Sequence, residues 1–211
     1  MIESILKKYS KLVALNVSRE TFPELEEYRE MLLNENKKIN LISKSTEENS
    51  INRHIIDSAQ IIDIIDKNAE NCIDLGSGSG LPGVVLAIIF KNKGSGIKFE
   101  LYEKSLKKSI FLDRVIKHFN LNANVKKKNI FEEKNLHADI IVARAFKPLP
   151  IILELVFKKF KHYKKIILFL GQSGEATLSE ALKQWYFDYE IIKSLTDSKS
   201  KIVKIQNLKK K

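Results

Sequence analysis

The sequence predicts an α/β fold: a mostly parallel sheet of seven strands, covered by helices on both faces and preceded by a helical extension. Three observations predict it. Apolar residues recur at helical spacing up to residue 66, and no strand-like run precedes residue 71. Beyond that point short apolar runs alternate with amphipathic stretches, the rhythm of right-handed βαβ units. The first of those runs leads directly into a glycine-dense turn, Gly76-Ser77-Gly78-Ser79-Gly80.

In order along the chain, residues 2–15 carry Ile2, Ile5, Leu6, Tyr9, Leu12 and Val13 on one helical face. Residues 22–39 do the same with Phe22, Leu25, Tyr28, Leu32 and Leu33, and residues 50–66 with Ile51, Ile55, Ile56, Ala59, Ile62 and Ile65. Three amphipathic helices follow from this. Thr21 before Phe22-Pro23-Glu24 reads as a cap with proline in the first turn, and Ser50 reads as the cap of the third helix. Next come a strand at 71–75, a helix at 82–92, a Gly94-Ser95-Gly96 turn, a strand at 97–102 and a helix at 105–119. Strands at 123–128 and 138–143, a helix at 149–162, a strand at 165–170 and a helix at 175–184 complete the alternation. Period-two patterning at 186–194 and 201–207 predicts an antiparallel hairpin closing the sheet. The chain divides near residue 70 into a helical extension, 1–70, and a sheet domain, 71–211.

With 211 residues and 44% apolar side chains, the chain can fill a core without staples. Its one cysteine, Cys72, lies in the first strand and reads as a buried hydrophobe, so no disulfide framework or Cys/His metal site can be built. The longest apolar run, Val84 to Phe90, is too short to span a bilayer, and Lys7, Lys8 and Lys11 interrupt the start. A cytoplasmic, soluble monomer with neither metal nor membrane partner is expected. The net charge of +11 favours a polyanionic partner such as nucleic acid. Only five of the 37 basic residues are arginine, however, and a lysine-rich surface also serves solubility alone.

The glycine turn lets bare N–H groups approach a nucleotide-like ligand. Two registers coexist: Gly76-x-Gly78-x-Gly80 directly after the strand, and Gly78-Ser79-Gly80-Leu81-Pro82-Gly83, which fits the dinucleotide pattern. The turn begins at Gly76 and is preceded by Asp74, a carboxylate better matched to a cofactor with a cationic end than to a diphosphate. Glu103 ends the next strand, where an acid can accept both hydroxyls of a ribose. The one Tyr-x-x-x-Lys match, Tyr189 with Lys193, falls on a strand, and no Gly-Lys-Ser/Thr follows the glycines. S-adenosylmethionine is the preferred ligand. An NAD-dependent oxidoreductase and a non-catalytic RNA-binding protein that retains a cofactor fold stay open as alternatives.

Asn40-Leu41, Arg53-His54-Ile55-Ile56-Asp57-Ser58, the run from Asp74 to Gly83, and Ala143-Arg144-Ala145-Phe146 together resemble the bacterial ribosomal small-subunit methyltransferase G family, over nearly the whole chain. The resemblance implies a Rossmann-like S-adenosylmethionine-dependent methyltransferase fold and methylation of N7 of one guanine in 16S ribosomal RNA. It places Gly76 and Leu81 at the cofactor, Phe131 and Glu132 beside the adenine, and Arg144 after the fourth strand, also at the cofactor; Asp74, Gly78 and Gly80 are read as cofactor residues from the turn itself. Glu103 adds the ribose contact. Arg144 sits between apolar neighbours, is costly to bury unpaired, and is read as the residue that fixes the target base. His54 and Asp57, three apart on one helical face, read as a docking network rather than a base. Lys107, Lys108 and the run Lys126-Lys127-Lys128 are candidates for RNA phosphates. The sequence departs from the family at Glu35, at Ile42, and at Leu170, where a lysine before glycine is usual and Gln172 or a nearby lysine would have to substitute.

Overall fold

The computed structural model describes residues 2–211. A seven-stranded sheet has the order β3-β2-β1-β5-β7-β9-β8. Its strands are β1 (Asn71–Leu75), β2 (Lys98–Tyr102), β3 (Ala123–Lys126), β5 (Ile140–Arg144), β7 (Lys165–Leu170), β8 (Trp185–Lys193) and β9 (Lys201–Lys210). The first five run parallel, and β8 and β9 form the antiparallel closing hairpin. Two short strands, β4 (Leu136–His137) and β6 (Phe160–His162), pair separately.

Side chains of a strand alternate between faces, and the core follows that period. Cys72, Ile140, Val142 and Ile167 face one layer, built from the N-terminal helices with α5 (Gly83–Asn92) and α6 (Leu106–His118). Ile73, Leu75, Ile141, Ala143, Ile166 and Leu168 face the other, with α7 (Leu149–Lys159) and α8 (Gly174–Gln184). Helix α3 (Phe22–Asn36) places Phe22, Leu25, Tyr28 and Leu32, all fully buried, on the stripe its spacing predicts. The N-terminal helices and the sheet therefore share one continuous apolar core.

Several elements differ from their sequence patterns. The first helix is two, α1 (Ile2–Lys8) and α2 (Ser10–Val13), because the chain turns at Tyr9 to bury its ring against Phe22 and donate its hydroxyl to Glu26 at 2.6 Å. Glu26 also accepts from Arg29 and Lys8, which holds its carboxyl down at about 2 against the cost of burial. Thr21 and Ser50 make no side-chain caps. Thr21 lies within a 3₁₀ turn, and the buried Ser50 hydroxyl instead accepts from Arg29 at 3.3 Å. Residues 50–66 hold a wide π turn over Ile51–Ile56, then the short α4 (Asp57–Ala59) and a 3₁₀ turn over Ile62–Ile64. Helix α7 stops at Lys159 because Phe160, 6% exposed, turns into the core as β6 pairs with β4.

Candidate active site

β1 runs into Gly76, Gly78 and Gly80, which all take positive φ. At Gly76 a Cβ would collide with the Phe146 ring, so glycine is needed for the close approach of these two segments. The loop is pinned from three sides. Ser77 N–H donates to the Tyr102 carbonyl at 2.9 Å, Gly78 N–H to Glu103 Oε2 at 2.9 Å, and the buried Tyr28 hydroxyl to the Ser79 carbonyl at 2.7 Å. Tyr28→Phe leaves that carbonyl without its partner and should cost about 1–3 kcal/mol in urea unfolding.

Two cavities open here and meet at Gly76, Glu103 and Ala145. One, of about 380 Å³, is walled by Tyr102, Phe131 and Phe146, with Lys128 at its lining. The other, of about 340 Å³, is walled by Leu41, His54, Gly78, Leu81, Lys108 and Arg144. Glu103 belongs to both and is 8% exposed. Its Oε1 accepts from Ser105 N–H at 2.7 Å and its Oε2 from Gly78 N–H, which fixes the carboxylate in place. Phe131 stacks on Phe146 with ring centroids 6.0 Å apart.

Arg144 leaves β5 into a cluster supplied by the π turn. Its Nε lies 3.1 Å from Asp57 Oδ2, and its Nη2 donates to the Arg53 carbonyl and to His54 Nδ1 at 3.3 Å. Since Nδ1 accepts, the imidazole proton sits on Nε2 and is donated to Thr46 Oγ1 at 2.9 Å, whose own proton goes to the Ser43 carbonyl. Burial first, then the Arg144 and Arg53 cations, push the His54 pKa down to about 4. A histidine kept neutral in the fold stabilises it above about pH 6.5, and that contribution is lost as pH falls toward 4. Urea titrations between pH 7 and 4 should show this loss, reduced in His54→Gln. Asp57 Oδ1 meanwhile accepts from Gln60 at 2.8 Å and from Thr196 at 2.6 Å, and Arg53 pairs with Asp197 at 2.7 Å. The loop between β8 and β9 thus clamps the π turn, a set of contacts that no local pattern announces. Leu41 and Ile42 are held against the second cavity by Asn36, whose Oδ1 accepts both their N–H groups.

Asp74, Gly80 and Glu132, expected at the cofactor, line neither cavity. Asp74 is buried beneath the loop, where its Oδ2 accepts from Gly83 N–H at 3.1 Å, and burial pushes its pKa up to about 7. That bond also takes an amide at the start of α5 that a diphosphate would need. A Cβ on Gly80 would meet Val84 and Leu112, a packing constraint rather than a ligand approach. Glu132 is exposed and accepts from Asn129. The lysine run splits three ways: Lys126 pairs with Glu100, Lys127 with Asp113 and Lys128 with Glu133. Lys107 and Lys108 stand in the first turn of α6, where the helix dipole disfavours cations. Tyr189 and Lys193 lie on β8, and Cys72 is buried and free. Among the described residues no cluster of metal ligands forms, and no helix is long and apolar enough to cross a membrane.

A model of the rRNA small subunit methyltransferase G family matches residues 21–207. The chain belongs to that family. Ribosomal RNA small subunit methyltransferase G of Pelagibacter ubique is 48% identical over 100% of both chains. Its counterpart in Rickettsia felis is 35% identical over 93% of this chain and 98% of its own. Among solved structures, the O-methyltransferase of Bacillus cereus in complex with SAH covers 98% of this chain and 100% of its own, with a TM-score of 0.60 at 17% identity. The B. subtilis m1A22 tRNA methyltransferase TrmK covers 71% of this chain and 64% of its own, with a TM-score of 0.54 at 16% identity. These likenesses establish the methyltransferase α/β fold, and family membership makes the chain a methyltransferase. Leu170 ends β7, and Gln172 is exposed in the following turn.

Proposed function

We propose that this chain transfers a methyl group from S-adenosylmethionine to N7 of one guanine in the 16S RNA of the small ribosomal subunit. The observation that carries the reading is Glu103, a carboxylate fixed by two backbone amides at the junction of two cavities. Each of its oxygens keeps a lone pair for a sugar hydroxyl. Phe131, braced by Phe146, would flank the adenine, while Gly76, Gly78 and Leu81 would border the amino-acid arm. Asp74 acts one layer below, holding the start of α5 and hence the shape of the loop.

When bound, the donor supplies an electrophilic methyl group on a sulfonium. Guanine N7 carries an in-plane lone pair and no hydrogen, so the displacement needs no proton removed beforehand. His54, neutral and bonded at both nitrogens, has no part as a base. The enzyme aligns the two reactants, and alignment can supply about 7–11 kcal/mol of the barrier. Arg144 spends Nε and Nη2 on Asp57, Arg53 and His54, which leaves Nη1 to reach guanine O6 or an adjacent phosphate. Lys107 and Lys108 are the cations best placed to meet RNA phosphates. The paired Lys126, Lys127 and Lys128 contribute as a charged rim.

Labelled donor incubated with naked 16S RNA and with small subunits, followed by mass-spectrometric mapping, tests this reading. It predicts a single N7-methylguanine. Label on another atom, or no transfer to either substrate, would contradict it.

A further inference from the structure

A third cavity, of about 230 Å³, opens between the π turn, the end of β7 and the start of β9, and shares Arg144 and Ala145 with the cofactor-side crevice. Its charged walls are Arg53, Asp57, Arg144 and Lys201. Two of the three cations are closely paired, Arg53 with Asp197 at 2.7 Å and Arg144 with Asp57 at 3.1 Å. Lys201 is not. Its carboxylate neighbour, Glu175, stands 3.9 Å away with a side chain 70% exposed, while the Lys201 side chain is 22% exposed. So long and wet an ion pair neutralises little.

Lys201 is also held in place. Its backbone pairs with Leu170 on β7 and with Lys193 on β8, so it stands on the rim formed by the carboxyl end of β7. The end of β7 itself offers the apolar Leu170, and the charge at this rim comes from the neighbouring strand. A small cavity with three cationic walls, one of them weakly compensated, selects a small anion over a base.

We propose that this cavity takes a backbone phosphate next to the target nucleotide, with Lys201 as its cation, an inference that rests on the RNA substrate proposed above. Arg144 spans both cavities, so a phosphate seated here would set the register of the base presented to the crevice.

The test compares the full chain with Lys201→Gln, Lys201→Arg and, as a control for bulk charge, Lys209→Gln on the exposed far end of β9. RNA affinity is measured over a salt series, with S-adenosylmethionine affinity alongside. Lys201→Gln should weaken RNA binding about ten-fold and reduce the salt slope by about 0.7–0.9, with donor affinity unchanged. Lys201→Arg should restore both, and Lys209→Gln should have a clearly smaller effect. An unaltered slope in Lys201→Gln, or equal effects of Lys201→Gln and Lys209→Gln, would overturn the phosphate site while the function stands. A wild-type chain that neither binds nor methylates 16S RNA would instead overturn the function, and the phosphate site with it.

Discussion

Glu103→Gln should lower the affinity for S-adenosylmethionine by about 100-fold or more, measured by calorimetry. The carboxylate accepts from Gly78 and Ser105 backbone amides with one oxygen each, and both oxygens keep lone pairs toward the cavities. An amide of the same shape has one acceptor and one donor, so its NH₂ must face a backbone N–H that is already a donor. Two effects then combine. The sugar loses charge-assisted partners, worth about 1.5–3 kcal/mol each, and Gly78 loses the anchor that shapes the loop. Glu103→Ala should lose as much. A dissociation constant within about three-fold of wild type, the resolution set by an energy difference well under 1.4 kcal/mol, would remove Glu103 from the site.

Arg144→Ala should suppress single-turnover methylation by about 100-fold or more, the scale on which misplaced reactants lose rate, while donor affinity changes little. The side chain does two things at once. It ties the π turn to β5 through Asp57, Arg53 and His54, and it presents Nη1 to the crevice. Removing it leaves Asp57, whose side chain is 13% exposed, without its guanidinium, a loss of about 3–5 kcal/mol on the scale of a broken buried ion pair. Arg144→Lys separates the roles, because it keeps a cation beside Asp57 and lacks the fork. It should recover most of the stability and little of the rate. Turnover unchanged in a folded Arg144→Lys would assign the arginine to structure alone.

What was legible in the sequence was local. The run from Asn71 to Leu75, the glycines after it and Glu103 at the end of the next strand lie close together along the chain, and the fold places them as their spacing implies. The contacts that build the Arg144 cluster are not local. Arg53 meets Asp197 across 144 positions and Thr196 meets Asp57 across 139. No periodicity encodes such a meeting, and polar residues in a connecting loop look alike whether they bond to solvent or to a partner. Asp74 illustrates the opposite error. Its position before the turn suggests a ligand contact, yet strand alternation puts it on the side of Cys72, beneath α5 and close to Tyr28. Lys126, Lys127 and Lys128 are consecutive in sequence, but only Lys126 lies on β3, the chain bends beyond it, and each finds its own carboxylate.

The claim on which the account turns is that the crevice after β1 seats the adenosyl group, with Glu103 holding its sugar. A crystal structure of the chain soaked with S-adenosylmethionine tests it most directly. The account predicts both ribose hydroxyls on the Glu103 carboxylate and the adenine beside Phe131. Density for the donor elsewhere, or a sugar that leaves Glu103 untouched, would contradict it.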